Sequence, residues 1–138
     1  MRPTPFSALM FAGCLSAAQA AAADKPVLTV YTYDSFVSDW GPGPAVERAF
    51  EADCGCDLKF VATGDGAALL SRLLLEGGQT EADVVLGLDT SLIAAARASG
   101  LFAPRPETPV RFALPVDWTD PTFLPYDWGW FAFVYDRT

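Results

Sequence analysis

Residues 57–88 read DLKFVATGDGAALLSRLLLEGGQTEADVVLGL, and their hydrophobic pattern changes twice. Residues 57–62 (DLKFVA) read as a strand. Leu69, Leu70, Leu73 and Leu74 then mark one face of a helix over 67–76, with Gly77 and Gly78 as its stop. Residues 83–88 (DVVLGL) return to a strand. Two strands joined by a helix long enough to cross over form a βαβ unit, and such strands pair in parallel.

The pattern extends in both directions. Upstream, residues 27–32 (VLTVYT) form a short apolar, β-branched run, as expected of a strand buried on both faces. Gly41-Pro42-Gly43-Pro44 follows, with Pro44 placed as the first residue of a helix, and Val46, Ala49, Phe50 and Asp53 recur at helical spacing so that one stripe can face a sheet. Downstream, Asp89-Thr90-Ser91 supplies N-cap chemistry for a third helix through Ser99, which Gly100 ends. The order β-α-β-α-β-α predicts an α/β lobe with a mainly parallel sheet flanked by helices. Six prolines within residues 103–125 exclude regular helix there and predict an extended surface connection. Residues 129–135 (GWFAFVY) read as a last, wholly apolar strand. A buried strand with no crossover after it is an unfinished arrangement, so the expectation is a truncated reading frame; the alternative is a natural small domain.

A hydrophobic fraction of 51% with 19% charged residues calls for a packed core rather than a disordered chain. Part of that apolar content is a leader: residues 1–20 carry one positive charge at Arg2, an apolar run over 5–15 and the small-residue sequence Ala18-Gln19-Ala20, as in a signal peptide. The run falls short of the roughly 20 residues a spanning helix needs. A lipoprotein leader ending before Cys14 is a poorer match. The mature chain is expected to be secreted and to begin near Ala21, with residues 21–138 as its lobe. The formal net charge of −8 argues against nucleic acid and anionic membranes as partners and suits a cationic ligand. With Cys14 in the leader, Cys54 and Cys56 remain as a pair in an oxidising compartment, and a disulfide between them needs the backbone to kink at Gly55. The chain contains no histidine, so a zinc or iron site is not expected.

Ligands of open parallel sheets bind beyond the carboxyl ends of the strands. After the first strand come Tyr33, Asp34, Ser35 and Phe36, then Asp39 and Trp40; after the second come Gly64, Asp65 and Gly66; after the third comes Asp89. Each strand thus delivers a carboxylate to one rim, and the first also delivers large aromatic rings. An aromatic face over a desolvated cation contributes on the order of 1–2 kcal/mol, and a carboxylate accepting hydrogen bonds from an amino-heterocycle adds direction. Asp65 and Asp89 have a second reading as helix caps, the common role of an aspartate at a helix start. Gly64 and Gly66 would let a ligand approach the backbone beside Asp65. Residues 126–130 (YDWGW), Asp127 among them, either line the same cleft or simply pack.

Catalysis has little to work with. A serine–histidine–aspartate triad is impossible without histidine. Cys54 and Cys56 fall at the amino-terminal edge of the sheet, opposite the rim. Gly41-Pro42-Gly43-Pro44 lacks the lysine of a phosphate-cradling loop and follows a loop instead of a strand.

Residues 27–36 (VLTVYTYDSF) and 39–44 (DWGPGP) resemble the opening of bacterial periplasmic thiamine-binding proteins. Residues 50–56 (FEADCGC), 82–89 (ADVVLGLD) and 127–136 (DWGWFAFVYD) are similar to that family's segments in the same order. The resemblance implies a type II periplasmic solute-binding fold of two lobes, of which this would be the N-terminal one. It also implies a monomer that hands thiamine and its phosphates to the membrane permease of an ATP-driven ABC importer, with no cofactor. Carried over, it implies ligand contacts at Asp65 and Gly66 and aromatic walls at Tyr33 and Trp40; Asp34, Asp89 and Asp127 are weaker candidates. A binder of another organic cation such as a polyamine is the rival reading, followed by a thiamine-cleaving enzyme of related fold.

Overall fold

The computed structural model describes residues 25–107, 111–130 and 132–137. The leader over residues 1–20, Cys14 and the expected mature start at Ala21 lie outside the described residues.

The sheet has three strands: β1 (Val27–Thr32), β2 (Asp57–Ala62) and β3 (Val84–Val85), in the spatial order β2-β1-β3. Both pairings are parallel. Val27 faces Asp57 and Thr32 faces Ala62 across one edge of β1, while Val30 and Tyr31 face Val84 and Val85 across the other. The helices are α1 (Asp34–Val37), α2 (Gly43–Cys54), α3 (Gly66–Glu76) and α4 (Ile93–Ser99), with a 3-10 turn over Gly77–Gln79. None among the described residues is long and apolar enough to cross a membrane.

The core forms where α3 lies across the central strand. Leu69 and Leu73 pack on Tyr31, and Val61, Ala82, Val85, Leu88, Leu101 and Phe102 close around them. Gly77 ends α3 by donating its N–H to the Leu73 carbonyl. Arg72 lies over the Tyr31 ring, 4.5 Å from its centroid, and its Nε donates to Glu76 Oε1 at 2.7 Å, so the same helix covers the strand's aromatic with a charged lid.

Several expectations need correction. The residues after β1 form a one-turn helix, α1, where a loop was expected. Strand three is shorter than 83–88: Gly87 at φ +112° turns the chain out of extended geometry, and only Val84–Val85 pair. The third helix starts at Ile93, because Asp89 engages Ser91 and Leu92 in a turn of its own first. The α2 stripe is only partly covered, since β2 is the edge of the sheet and offers little surface beyond itself; Phe50 remains 42% exposed. Leu74 on α3 is likewise half-exposed. The apolar run over 129–135 makes no strand among its described residues, and Phe133 and Val134 stand fully in solvent. An apolar strand needs neighbours to cover its faces and to pair its backbone, and nothing described here supplies them.

The described residues of the proline-rich stretch carry no regular element, but the stretch is tied down at Asp120. That carboxylate accepts from the N–H groups of Thr122 and Phe123 at 2.8 and 2.9 Å and pairs with the Arg97 guanidinium from α4. Arg105 N–H donates to the Pro121 carbonyl at 2.9 Å. The bonds from Phe123 and Thr122, then the charge of Arg97, hold the Asp120 carboxyl below the usual carboxylate range.

Candidate functional site

Parallel pairing brings the carboxyl ends of β1, β2 and β3 to one edge, and the loops that leave them are stitched together. Asp34 N–H donates to the Gly64 carbonyl at 2.8 Å, and Gly64 N–H donates back to Asp34 Oδ1 at 2.8 Å. The first and second loops therefore form one rigid surface. Asp65 caps α3, its Oδ1 accepting from the Ala68 N–H at 2.8 Å, while the side chain remains exposed. A carboxylate has about four lone-pair sites, so a cap and a ligand contact are compatible.

The third loop presses against both of the others. A side-chain carbon built at Gly66 would lie 2.7 Å from the Gly87 carbonyl oxygen and 3.3 Å from Leu92 Cδ1. One built at Gly87 would run into the Tyr33 ring, with Cε1 at 2.7 Å. Tyr33 sits edge-on to the buried Phe36 ring at 5.7 Å between centroids, and Phe36 in turn meets Phe60 at 5.5 Å and Tyr126 at 6.3 Å. The hydroxyls of Tyr33 and Tyr126 share a short hydrogen bond. Tyr33, Asp34, Gly64, Asp65, Gly66, Gly87 and Tyr126 are thus one continuous patch.

The remaining candidates stand apart from it. Trp40 is 80% exposed on the link between α1 and α2 and enters no ring contact among the described residues, so it is not stacked on Tyr33. Asp89 Oδ1 accepts from the Ser91 N–H at 2.7 Å and the Ser91 hydroxyl at 2.6 Å; the hydroxyl is the main reason its carboxyl lies below the ordinary range. That is the geometry of a turn-forming aspartate. Asp127 is exposed next to Tyr126, and Trp128 packs edge-on with Trp130 at 6.2 Å instead of reaching Tyr33. Burial of the hydroxyl, then its bond to Tyr33, pushes the Tyr126 phenol well above its ordinary range, even though half of the residue is solvent-exposed. No group of three or more histidine, cysteine, aspartate or glutamate residues able to hold a metal exists among the described residues.

Gly87 was not singled out from the sequence, although a glycine inside an apolar strand pattern is a recognised sign of close backbone approach. Tyr126 was named only as part of an aromatic cluster with two possible roles. A bond spanning 93 residues leaves no local trace in sequence spacing.

Cys54 and Cys56 are joined by a disulfide across Gly55, which takes a left-handed conformation at φ +65°; the Cα atoms are 5.2 Å apart. The bridge closes the end of α2 just before β2 begins, at the edge of the sheet opposite the patch. An aromatic face beside exposed carboxylates can hold a cation, and the cysteines are oxidised to each other and remote from it.

No protein-family model matches the chain. It is 58% identical over 113 residues to the thiamine-binding periplasmic protein of Escherichia coli (strain K12), a match covering 82% of this chain and 35% of that protein. The protein of the same name from Brucella suis biovar 1 (strain 1330) is 54% identical over 131 residues, covering 95% of this chain and 38% of the relative. A solved structure described as a periplasmic thiamin binding protein superposes with a TM-score of 0.68 at 57% identity, over 75% of this chain and 32% of the other. The chain thus spans a little over a third of the length of these curated relatives. Over that span, the chain belongs to the family of thiamine-binding periplasmic proteins.

Proposed function

We propose that this protein captures thiamine, and its phosphates, in the periplasm and hands it to the permease of an ATP-driven inner-membrane importer, acting as a monomeric carrier that catalyses no reaction and needs no cofactor. Residues 1–20 act as the signal peptide, and residues 21–138 form the N-terminal lobe of a two-lobed carrier. The observation that supports this most is the placement of Tyr33 and Asp65 in one stitched patch at the carboxyl edge of the sheet. Thiamine joins a cationic ring to an amino-heterocycle, and the patch offers an aromatic face for the first and a carboxylate acceptor for the second. Asp65, Gly66 and Tyr33 carry the recognition, with Trp40, exposed on the link between α1 and α2, as a second aromatic wall; Asp34, Asp89 and Asp127 add negative potential around it.

Magnitudes set the expected strength. Micromolar affinity requires about −8 kcal/mol. Two aromatic faces and one carboxylate supply roughly 3–6 kcal/mol before ordering costs. The 138-residue chain should therefore bind thiamine no more tightly than about millimolar. Titrating the chain with thiamine and following tryptophan fluorescence, beside Asp65→Ala, tests the reading. Concentration-dependent quenching that falls at least fivefold in initial slope in the variant supports it. Quenching by the polyamine spermidine but not by thiamine would replace the ligand, and no response to either in a folded chain would remove the binding role from this patch.

A further inference from the structure

The proposed function needs an aromatic wall of fixed orientation, and Tyr33 alone does not supply one. It follows a strand end, it is only partly buried, and its ring could turn toward solvent. Two segments far away in sequence prevent that. Gly87, at φ +112°, presents bare backbone where any side chain would collide with the ring. Tyr126, arriving from the end of the proline-rich stretch, bonds the ring's hydroxyl and is seated by the same Phe36 that supports Tyr33. The ring is held by its flank, its edge and its hydroxyl at once. Tyr126 is itself placed by a segment anchored at Asp120 to α4, so the support runs through covalent chain and ion pair back to the lobe.

We propose that Gly87 and Tyr126 are positioning residues that lock the orientation of Tyr33, so that the wall offered to thiamine is set by the third strand's exit loop and by the proline-rich return together. This rests on the thiamine reading only for the identity of the ligand. The lock itself is a statement about the unliganded chain. A phenol freed of its partner samples other rotamers, and a side chain at Gly87 forces the ring outward.

The test has two arms on the 138-residue chain with ring-labelled tyrosine. In the first, without ligand, NMR reads the Tyr33 ring resonances in wild type, Tyr126→Phe and Gly87→Ala. The lock predicts displaced or averaged Tyr33 signals in both variants while the Tyr31 ring, in the core, is unmoved. Unchanged Tyr33 signals in Tyr126→Phe would overturn it. Gly87→Ala carries backbone strain of its own, so a variant that fails to fold leaves the decision to Tyr126→Phe. The second arm measures the initial slope of thiamine quenching in Tyr33→Phe, Tyr126→Phe and the double variant. Loss of one hydrogen bond's worth of orientation should reduce the slope about fivefold in each single variant, with no further loss in the double. Multiplying losses in the double would mean that Tyr126 acts independently of Tyr33, against the proposal. If wild type shows no quenching, the thiamine reading fails, and the first arm still decides whether the lock exists.

Discussion

Two runs in this chain that read as buried strands meet opposite fates. Residues 27–32 become β1, the central strand, with Tyr31 and Thr32 almost completely removed from solvent. Residues 129–135 contain more aromatic surface, yet make no strand among their described positions, and Phe133 is 103% exposed. What separates them is their neighbours. β1 is paired on both edges, by β2 and β3, and covered by α3, whereas among the described residues the later run has neither a pairing edge nor a covering layer. Hydrophobicity supplies the drive to be buried; hydrogen-bonding neighbours decide whether a strand results. The proposed ligand patch grows from the exit of the first run, whereas Tyr126, just upstream of the second, joins it from the other side.

The largest effect that would break this contrast is in the core. Leu69→Ala removes a fully buried side chain from the face of β1 and should cost about 2–5 kcal/mol of stability in chemical denaturation. Phe133→Ser, a comparable loss of apolar volume in the other run, should stay within about 0.5 kcal/mol. Equal costs at both sites would mean that the later run is packed in solution and that the two fates are not distinct.

A smaller effect sharpens the comparison by probing the tether between the two regions. The Asp120 carboxyl is held below its ordinary range in the folded chain by the N–H groups of Phe123 and Thr122 and by Arg97. A group with a lowered folded pKa adds stability above its unfolded value, and that stability disappears as the pH falls through the folded value. The Arg97–Asp120 pair is partly open to water, so the contribution is modest. Asp120→Asn should therefore reduce thermal stability at neutral pH and bring the wild type and the variant together in acid. A gap between them that persists or widens in acid would show that Asp120 acts through shape instead of charge.

The sequence made the βαβ framework legible because period and punctuation are local signals: Leu69, Leu70 and Leu73 of α3, the Gly77 stop and the β1 run fell where expected, while Leu74 at the margin of the same face stays half-exposed. β3 was overestimated because Gly87 breaks extension for a tertiary reason, the Tyr33 ring lying against it. The α2 stripe was read as buried because its spacing is sound; its exposure depends on β2 being an edge, which spacing does not encode. Asp65, Gly66 and Tyr33 could be placed at one rim from their position after strands, and the structure brings them to one edge of the sheet. Their mutual contacts, and the part played by Tyr126, come from bonds that cross the chain and leave no mark on residue order.

The most direct test of the central claim, that ligand recognition sits at the exit of β1, is amide NMR of the isotopically labelled chain titrated with thiamine into the tens of millimolar. Shifts are expected at Tyr33, Gly64, Asp65, Gly66 and Gly87 with half-saturation no lower than about millimolar, smaller ones at Tyr126, and none over residues 132–137. Shifts centred instead on the surface depression between α2 and β2, around Pro44, Glu47 and Leu58, would contradict it.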